Sequence, residues 1–183
     1  MLLEEVYKRV VNFLNQGNFT YIIIGGIAAG TLGEPRVTGD VDVDILLDKN
    51  DISDFLEDAK KAGFKFDKKK CAKSARETGT FQISFGEFHV DFIIASIGLE
   101  KEAFKRKKII KLYKIKAYFP TPEDLILLKV TAGRAMDIVD AERVAIRHSG
   151  SLDKSYLINW AERLSDKAHD LRIYNEVKRL LTF

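Results

Sequence analysis

The chain has 183 residues, 46% hydrophobic and 31% charged, with a formal net charge of only +3. That length suits one globular domain, or one domain with a small helical appendage, and the weak net charge excludes a protein that coats nucleic acid over its whole surface. A single cysteine, Cys71, excludes an internal disulfide and a cysteine-cluster metal site.

Leu3, Val6, Val10, Phe13 and Leu14 fall at helical spacing, and Gly17 stops that helix. Thr20 to Ile24 reads as a buried strand. Gly26 to Leu32 is rich in Ala and Gly and reads as a short, tightly packed helix, broken by Gly33, Glu34 and Pro35. Val41 to Leu47 is the second strand. Asp51 is expected to cap a helix built on Ile52, Phe55, Leu56 and Ala59, with Gly63 past its end. After a lysine-rich run, "GTFQISFG" and "EFHVDFIIA" form a hairpin turning at Gly86 and Glu87. "IIKLYKI" and "KAYFP" alternate apolar and polar residues, as an outer hairpin or paired edge strands. Thr121 as N-cap, Pro122 at the first helical position and Asp124 completing a capping box open one helix that continues to about His148. Two more helices follow Gly150. One carries Leu157, Ile158, Ala161 and Leu164, the other Leu171, Tyr174, Val177 and Leu180. This order predicts an α+β (mixed α/β) fold: a sheet domain over residues 1–120, with a C-terminal helical segment over 121–183 packed on it.

Charge is unevenly spread. Lys60, Lys61, Lys65, Lys68, Lys69, Lys70, Lys73 and Arg76 form one basic run, and Lys101, Lys105, Arg106, Lys107, Lys108, Lys111, Lys114 and Lys116 another. Acidic residues crowd the stretch from Asp40 to Asp58. Such runs read either as solvated surface or as a basic rim around an acidic, metal-binding centre. The longest apolar stretch, residues 21–33, is too short and too rich in glycine to span a membrane, and the opening "MLLEEVYKRV" is charged too early for a signal peptide. A cytoplasmic protein is expected.

"GGIAAG", between a strand and a helix, invites a nucleotide-binding reading. The dinucleotide fingerprint needs glycine where Ile27 stands, and the P-loop needs Lys and Ser or Thr where Thr31 and Leu32 stand, so neither applies. What is left is a tight strand-to-helix turn, or a place where backbone approaches an anion closely. Asp40, Asp42 and Asp44 alternate through the second strand. Side chains two apart point to one face, roughly 7 Å apart along the strand. Like charges on one face repel, which leaves two readings. Either that face meets solvent, or a divalent cation offsets the repulsion. Asp91, the one charge between Val90 and Phe92 in a long apolar strand, is the candidate third carboxylate. Three such groups can bridge two Mg²⁺ ions about 3.5–4 Å apart. His89 shares the face of Asp91.

Taken together, Gly25-Gly26 ending a hydrophobic strand, Asp40-Val41-Asp42 thirteen residues later, and Asp91 in a further strand resemble the nucleotidyltransferase superfamily with the DNA polymerase β-like fold. Arg36, Thr38, Asp40 and Asp42 match an "R-x-T-x-D-x-D" pattern. Pro122-Glu123-Asp124-Leu125-Ile126 with Lys129, then Arg134, Asp137 and Asp140, resembles the later motifs of a small prokaryotic branch that includes the nucleotidyltransferase toxins of type IV toxin–antitoxin systems. The resemblance runs from about Tyr21 to Arg143. Three positions depart from it. Gly26 stands where many relatives have serine, Met136 stands where they have lysine, and Asp44 is extra. The register makes Asp40 and Asp42 the ligands; the pair Asp42 and Asp44 is the alternative.

The resemblance implies transfer of a nucleoside monophosphate from an NTP to an acceptor hydroxyl, with release of pyrophosphate. Asp40, Asp42 and Asp91 would hold Mg²⁺ or Mn²⁺. Gly25 and Gly26 would cradle the β- and γ-phosphates, Arg36 and Thr38 would reach phosphate or ribose, and Lys129 would meet the triphosphate. Arg134, Asp137 and Asp140 would support the site. The plainer readings are that Arg36 closes a loop beside Glu34, Lys129 snorkels from a core helix, and Asp137 and Asp140 pair with Arg134 and Arg143 on a helix face. The acceptor would be tRNA, another RNA or a protein. The competing function is an idle relative that keeps the nucleotide pocket and acts as a partner or antitoxin-type module.

Overall fold

The computed structural model describes residues 2–183. In chain order the elements are α1 (Leu3–Gln16), β1 (Thr20–Ile23), α2 (Gly25–Leu32), β2 (Val41–Leu46), α3 (Ile52–Lys61), α4 (Lys68–Thr78), β3 (Thr80–Phe85), β4 (Phe88–Ile94), α5 (Gly98–Arg106), β5 (Lys108–Leu112), β6 (Ile115–Phe119), α6 (Pro122–Ala132), α7 (Ala135–His148), α8 (Lys154–Ala168) and α9 (Leu171–Leu180). The architecture is α+β, a mixed sheet flanked by helices and followed by helices alone. Two compact units divide the chain. One runs to Ile27 and resumes over Val37–Phe119; the other takes Ala28–Arg36 and Pro120–Phe183.

The first unit is built on a four-stranded sheet of order β1-β2-β4-β3. β1 runs antiparallel to β2, β2 parallel to β4, and β4 antiparallel to β3. Period-two alternation separates its faces. Tyr21, Ile23, Val41, Val43, Ile45, Phe81, Ile83, Val90 and Phe92 share one face and are buried. Phe55 of α3 contacts Phe13 of α1, Phe81 and Phe92 edge-on, with ring centroids 5.2–5.7 Å apart, which fixes the two helices over this apolar face. The opposite face carries Ile22, Asp42, Asp44, Gln82, His89 and Asp91. Part of it is covered by α5, whose Ala103 and Phe104 pack on Ile22 and Ile24.

Two helices lie where the sequence reading assigned none. α4 occupies the second part of the first lysine run, from Lys68, capped at its start by Asp67, whose carboxylate accepts from the Lys70 amide, and closed by left-handed Gly79. Its buried side is only Cys71, Ala72 and Ala75, too small a stripe to stand out among lysines. α5 uses Leu99, Ala103 and Phe104, with the Glu100 carboxylate accepting from the Ser96 and Ile97 amides. The β5–β6 turn falls at Tyr113–Lys114, inside the segment read as one strand. Both residues adopt positive φ without being glycine, so nothing in the composition marks the turn. Asp51 stands at the N-terminus of α3 but is itself helical and makes no side-chain cap.

In the second unit, the single helix expected from Thr121 to about His148 is two. Gly133, at φ +70°, donates to the Lys129 carbonyl and ends α6 in a left-handed cap. The Thr121 hydroxyl accepts from the Asp124 amide as expected, but the Asp124 carboxylate turns to the Thr121 and Tyr156 hydroxyls instead of completing the box. Residues 28–36 belong to this unit through α7. Arg147 Nη1 donates to the Gly33 carbonyl at 2.5 Å, and His148 Nε2 lies 2.8 Å from the Leu32 carbonyl. On α9 Ile173 takes the inward position read for Leu171, which faces solvent. No helix among the described residues is long and apolar enough to cross a membrane.

One core group is unsatisfied. The Tyr7 hydroxyl is buried with no hydrogen-bond partner, and burial, with Tyr21 and Tyr113 nearby, pushes its pKa up. Tyr7→Phe is therefore expected to raise stability by about 1 kcal/mol in urea unfolding, since removing an unpaired buried hydroxyl removes its desolvation cost.

Candidate functional site

β2 and β4 run parallel in a register that sets Asp42 directly beside Asp91. Both are half-buried and point to the same face. Neighbouring strands lie about 4.7–4.9 Å apart, so two carboxylates stand side by side at the centre of the sheet. Asp91 Oδ1 accepts from the Gln82 side-chain amide at 2.8 Å, which orients it. Sequence reading passed over Gln82, although a two-residue turn at Gly86–Glu87 already sets it opposite Asp91.

Gly25 completes this group. It opens α2 at φ +62°, and a Cβ built on it would run into the Asp42 carboxylate. Only glycine leaves the backbone this close to that side chain. Gly26 follows in the first turn of α2. Asp40 precedes β2 and lies half-buried, with Thr38, in the irregular segment between α2 and β2.

Asp44, which the sequence reading left unassigned, is fully buried on the same face as Asp42, and its Oδ1 has no hydrogen-bond partner. Burial first, then the charges of Glu100 and Asp42, push its carboxyl well above the ordinary range. The folded state thus holds a proton that the unfolded chain would release. Stability falls as pH rises from the ordinary value of 3.8 toward the raised one, and the cost is complete only above it. In EDTA, Asp44→Asn is expected to unfold at higher urea than wild type at pH 7, with the difference shrinking toward pH 4. A wild type more stable than the variant at pH 7 would contradict this.

The remaining predicted site residues gather in the second unit. Lys129 is buried, and its ammonium donates to Asp137 Oδ1 and Asp140 Oδ2, each at 2.8 Å. Arg36 grips Asp140 with two nitrogens, Nε to Oδ1 at 2.9 Å and Nη2 to Oδ2 at 3.1 Å. Arg134 does the same to Asp137, at 2.5 and 3.3 Å. Burial pushes the Asp137 carboxyl up, but the hydrogen bonds from Arg134 and Lys129 outweigh it and hold the group below its ordinary value. Arg134 thus pairs with Asp137 as a plain helix-face reading has it. Asp140, in contrast, is bound by Lys129 and Arg36, while Arg143 pairs with Glu34 at 3.4 Å.

The Asp42–Asp91 pair offers only carboxylate oxygen, the donor that hard divalent cations such as Mg²⁺ prefer. In kind, these residues fit such an ion. Among the described residues, no three His, Cys, Asp or Glu side chains are grouped to hold a metal between them.

Residues 2–179 match the family described as nucleotidyltransferase of unknown function (DUF6036), and the chain belongs to that family. Among solved structures it is similar to an antigenic nucleotidyltransferase-like protein from Paracoccidioides brasiliensis, at 16% identity and a TM-score of 0.49, over 93% of this chain and 92% of that one. No curated protein matches it.

Proposed function

We propose that the protein is a Mg²⁺- or Mn²⁺-dependent nucleotidyltransferase that moves a nucleoside monophosphate from an NTP to a hydroxyl of RNA, tRNA included, or of a protein. The observation that carries this reading is the cross-strand pairing of Asp42 with Asp91, with Gly25 closed against Asp42. Asp42, Asp91 and the neighbouring Asp40 would be the ligands. When bound, the metal lowers the pKa of the acceptor hydroxyl and neutralises triphosphate charge. The acceptor oxygen forms a bond to the α-phosphorus, the bond from that phosphorus to the bridging oxygen breaks, and pyrophosphate leaves with its electrons. Asp91, steadied by Gln82, stands to take the acceptor proton. The first amides of α2, at Gly25 and Gly26, suit the β- and γ-phosphates.

The "R-x-T-x-D-x-D" stretch favours a toxin-like enzyme of the type IV toxin–antitoxin kind, working in the cytoplasm, where an antitoxin would be its partner. Lys129 and Arg36 are spoken for by Asp137 and Asp140, which suits residues that brace the fold more than residues that grip a triphosphate. This favours a second reading, an idle relative that binds NTP and acts through a partner. Incubation with α-labelled NTPs, bulk tRNA and a cell protein fraction, in Mg²⁺ or EDTA, separates the two. Transfer predicts label in RNA or protein and pyrophosphate release in Mg²⁺ alone. Tight NTP binding with neither product selects the second reading and overturns the first.

A further inference from the structure

The β5–β6 hairpin holds an arrangement that folding alone does not favour. Its register sets Lys111 directly opposite Lys116, both exposed. Like charges facing each other across a strand pair repel and are destabilising. Residues 107–119 contain five lysines and no acidic residue. Some surface lysines elsewhere have carboxylate partners, such as Lys8 with Glu4, Lys61 with Asp58, Lys68 with Glu57 and Lys105 with Glu102. Among the described residues, Lys108, Lys111, Lys114 and Lys116 have no side-chain partner. The ammonium of Lys107 sits 4.3 Å over the Tyr118 ring. Ile109, 61% exposed, and Tyr113, 41% exposed at the turn, stand among these charges.

The hairpin's other side explains why the ribbon keeps its shape. Ala117 and Phe119 are buried, and Ile110, Leu112 and Ile115 are partly so, which anchors one face and leaves the lysine face rigidly presented. The other basic run differs. On α4, Lys68 is bound by Glu57, Lys73 lies 4.0 Å from Glu77, and the depression of about 390 Å³ beside them is partly lined by Glu77 itself.

We propose that the outer face of the β5–β6 hairpin docks a single strand of RNA, with Lys111, Lys116 and, at the turn, Lys114 on its phosphates and Ile109 and Tyr113 against its bases. Phosphates on either side of the Lys111–Lys116 pair relieve the repulsion that the free hairpin carries. Lysines interleaved with exposed apolar and aromatic groups are what an unstacked strand requires. As the acceptor's docking place this surface rests on the transferase reading. As a binding surface it does not, so the experiment omits NTP and metal, and its failure leaves the transferase reading to its own assay.

A fluorescent 12-nucleotide single-stranded RNA is titrated with the full chain in EDTA over a salt series, read by anisotropy. Lys111→Glu makes an opposite-charge pair with Lys116, so its melting temperature is expected to hold or rise. RNA affinity is expected to fall at least threefold, and the slope of log K against log salt to become shallower by about 0.7 or more. Stability and binding thus move apart, which a purely structural role for Lys111 would not produce. Lys69→Glu, on α4, is expected to leave binding unchanged. Equal losses in the two variants mean general attraction to a basic protein and overturn the assignment. Equally tight binding of polyglutamate, of anionic lipid vesicles or of duplex DNA overturns the RNA strand as the partner.

Discussion

Lys129→Met is expected to destabilise the protein by about 3 kcal/mol, the lower end of the range for breaking a buried ion pair. Lys129, Asp137 and Asp140 are at most 6% exposed, and one ammonium serves both carboxylates. Methionine fills the aliphatic space but leaves two aspartates facing each other, held from outside by Arg36 and Arg134. Those two guanidiniums are why the loss stays at the low end. Adding Asp137→Asn and Asp140→Asn to Lys129→Met is expected to recover much of it, because the cost lies in the uncompensated charges. The pH dependence has a definite sign. Asp137 is held below its ordinary value of 3.8, so its contribution is present above that pH and is lost as pH falls through the lower, folded value. Wild type should therefore lose stability on acidification below about pH 4 more steeply than the triple variant. Urea unfolding at pH 7 and below pH 4 measures both effects. A single-variant loss under 1 kcal/mol would show that the network carries no such load.

This network also marks where the sequence stops being legible. The residues were all picked out, but an unbroken helix from Thr121 to His148 keeps them apart. At 1.5 Å per residue, positions eight and eleven apart are about 12 and 16 Å distant along one axis. The break at Gly133 brings α7 back onto α6, so that Lys129 reaches Asp137 and Asp140. A lone glycine in a helical pattern is tolerated often enough that its left-handed cap was not evident. Asp44 failed to read for a related reason. Alternation put it correctly on the face of Asp42, but which part of that face is covered depends on α5, a helix hidden in a lysine-rich segment. By contrast, the apolar face of the sheet, the Gly86–Glu87 turn, the shared face of Asp42 and Asp44 and the lone charge of Asp91 in an apolar strand follow from period-two alternation. There the local pattern and the tertiary packing agree.

The second large effect is expected at Gly25. Gly25→Ala meets two obstacles: a positive φ, which costs an L-residue roughly 1–2 kcal/mol, and the Asp42 carboxylate where its Cβ would stand. Asp42 must move, and the pairing with Asp91 moves with it. Stability is expected to fall by more than the backbone term alone, and transfer activity by about as much as in Asp42→Ala itself, on the order of 10³-fold or about 4 kcal/mol of transition-state stabilisation. The double variant separates the causes. In Gly25→Ala with Asp42→Ala the carboxylate is gone, but the two Cβ atoms still stand 2.7 Å apart beside the backbone strain, so the stability loss at position 25 should shrink only in part while activity stays absent. Such coupling is what contact between two residues produces, and independent sites would instead add. Mg²⁺ melting shifts give a readout apart from turnover. A ligand that binds only the folded state raises the melting temperature, so wild type should gain from millimolar Mg²⁺ where Asp42→Ala does not. If Gly25→Ala keeps both the Mg²⁺ shift and the activity, then Asp42 can leave its place against Gly25 without loss, and the close approach of the two is not part of the site.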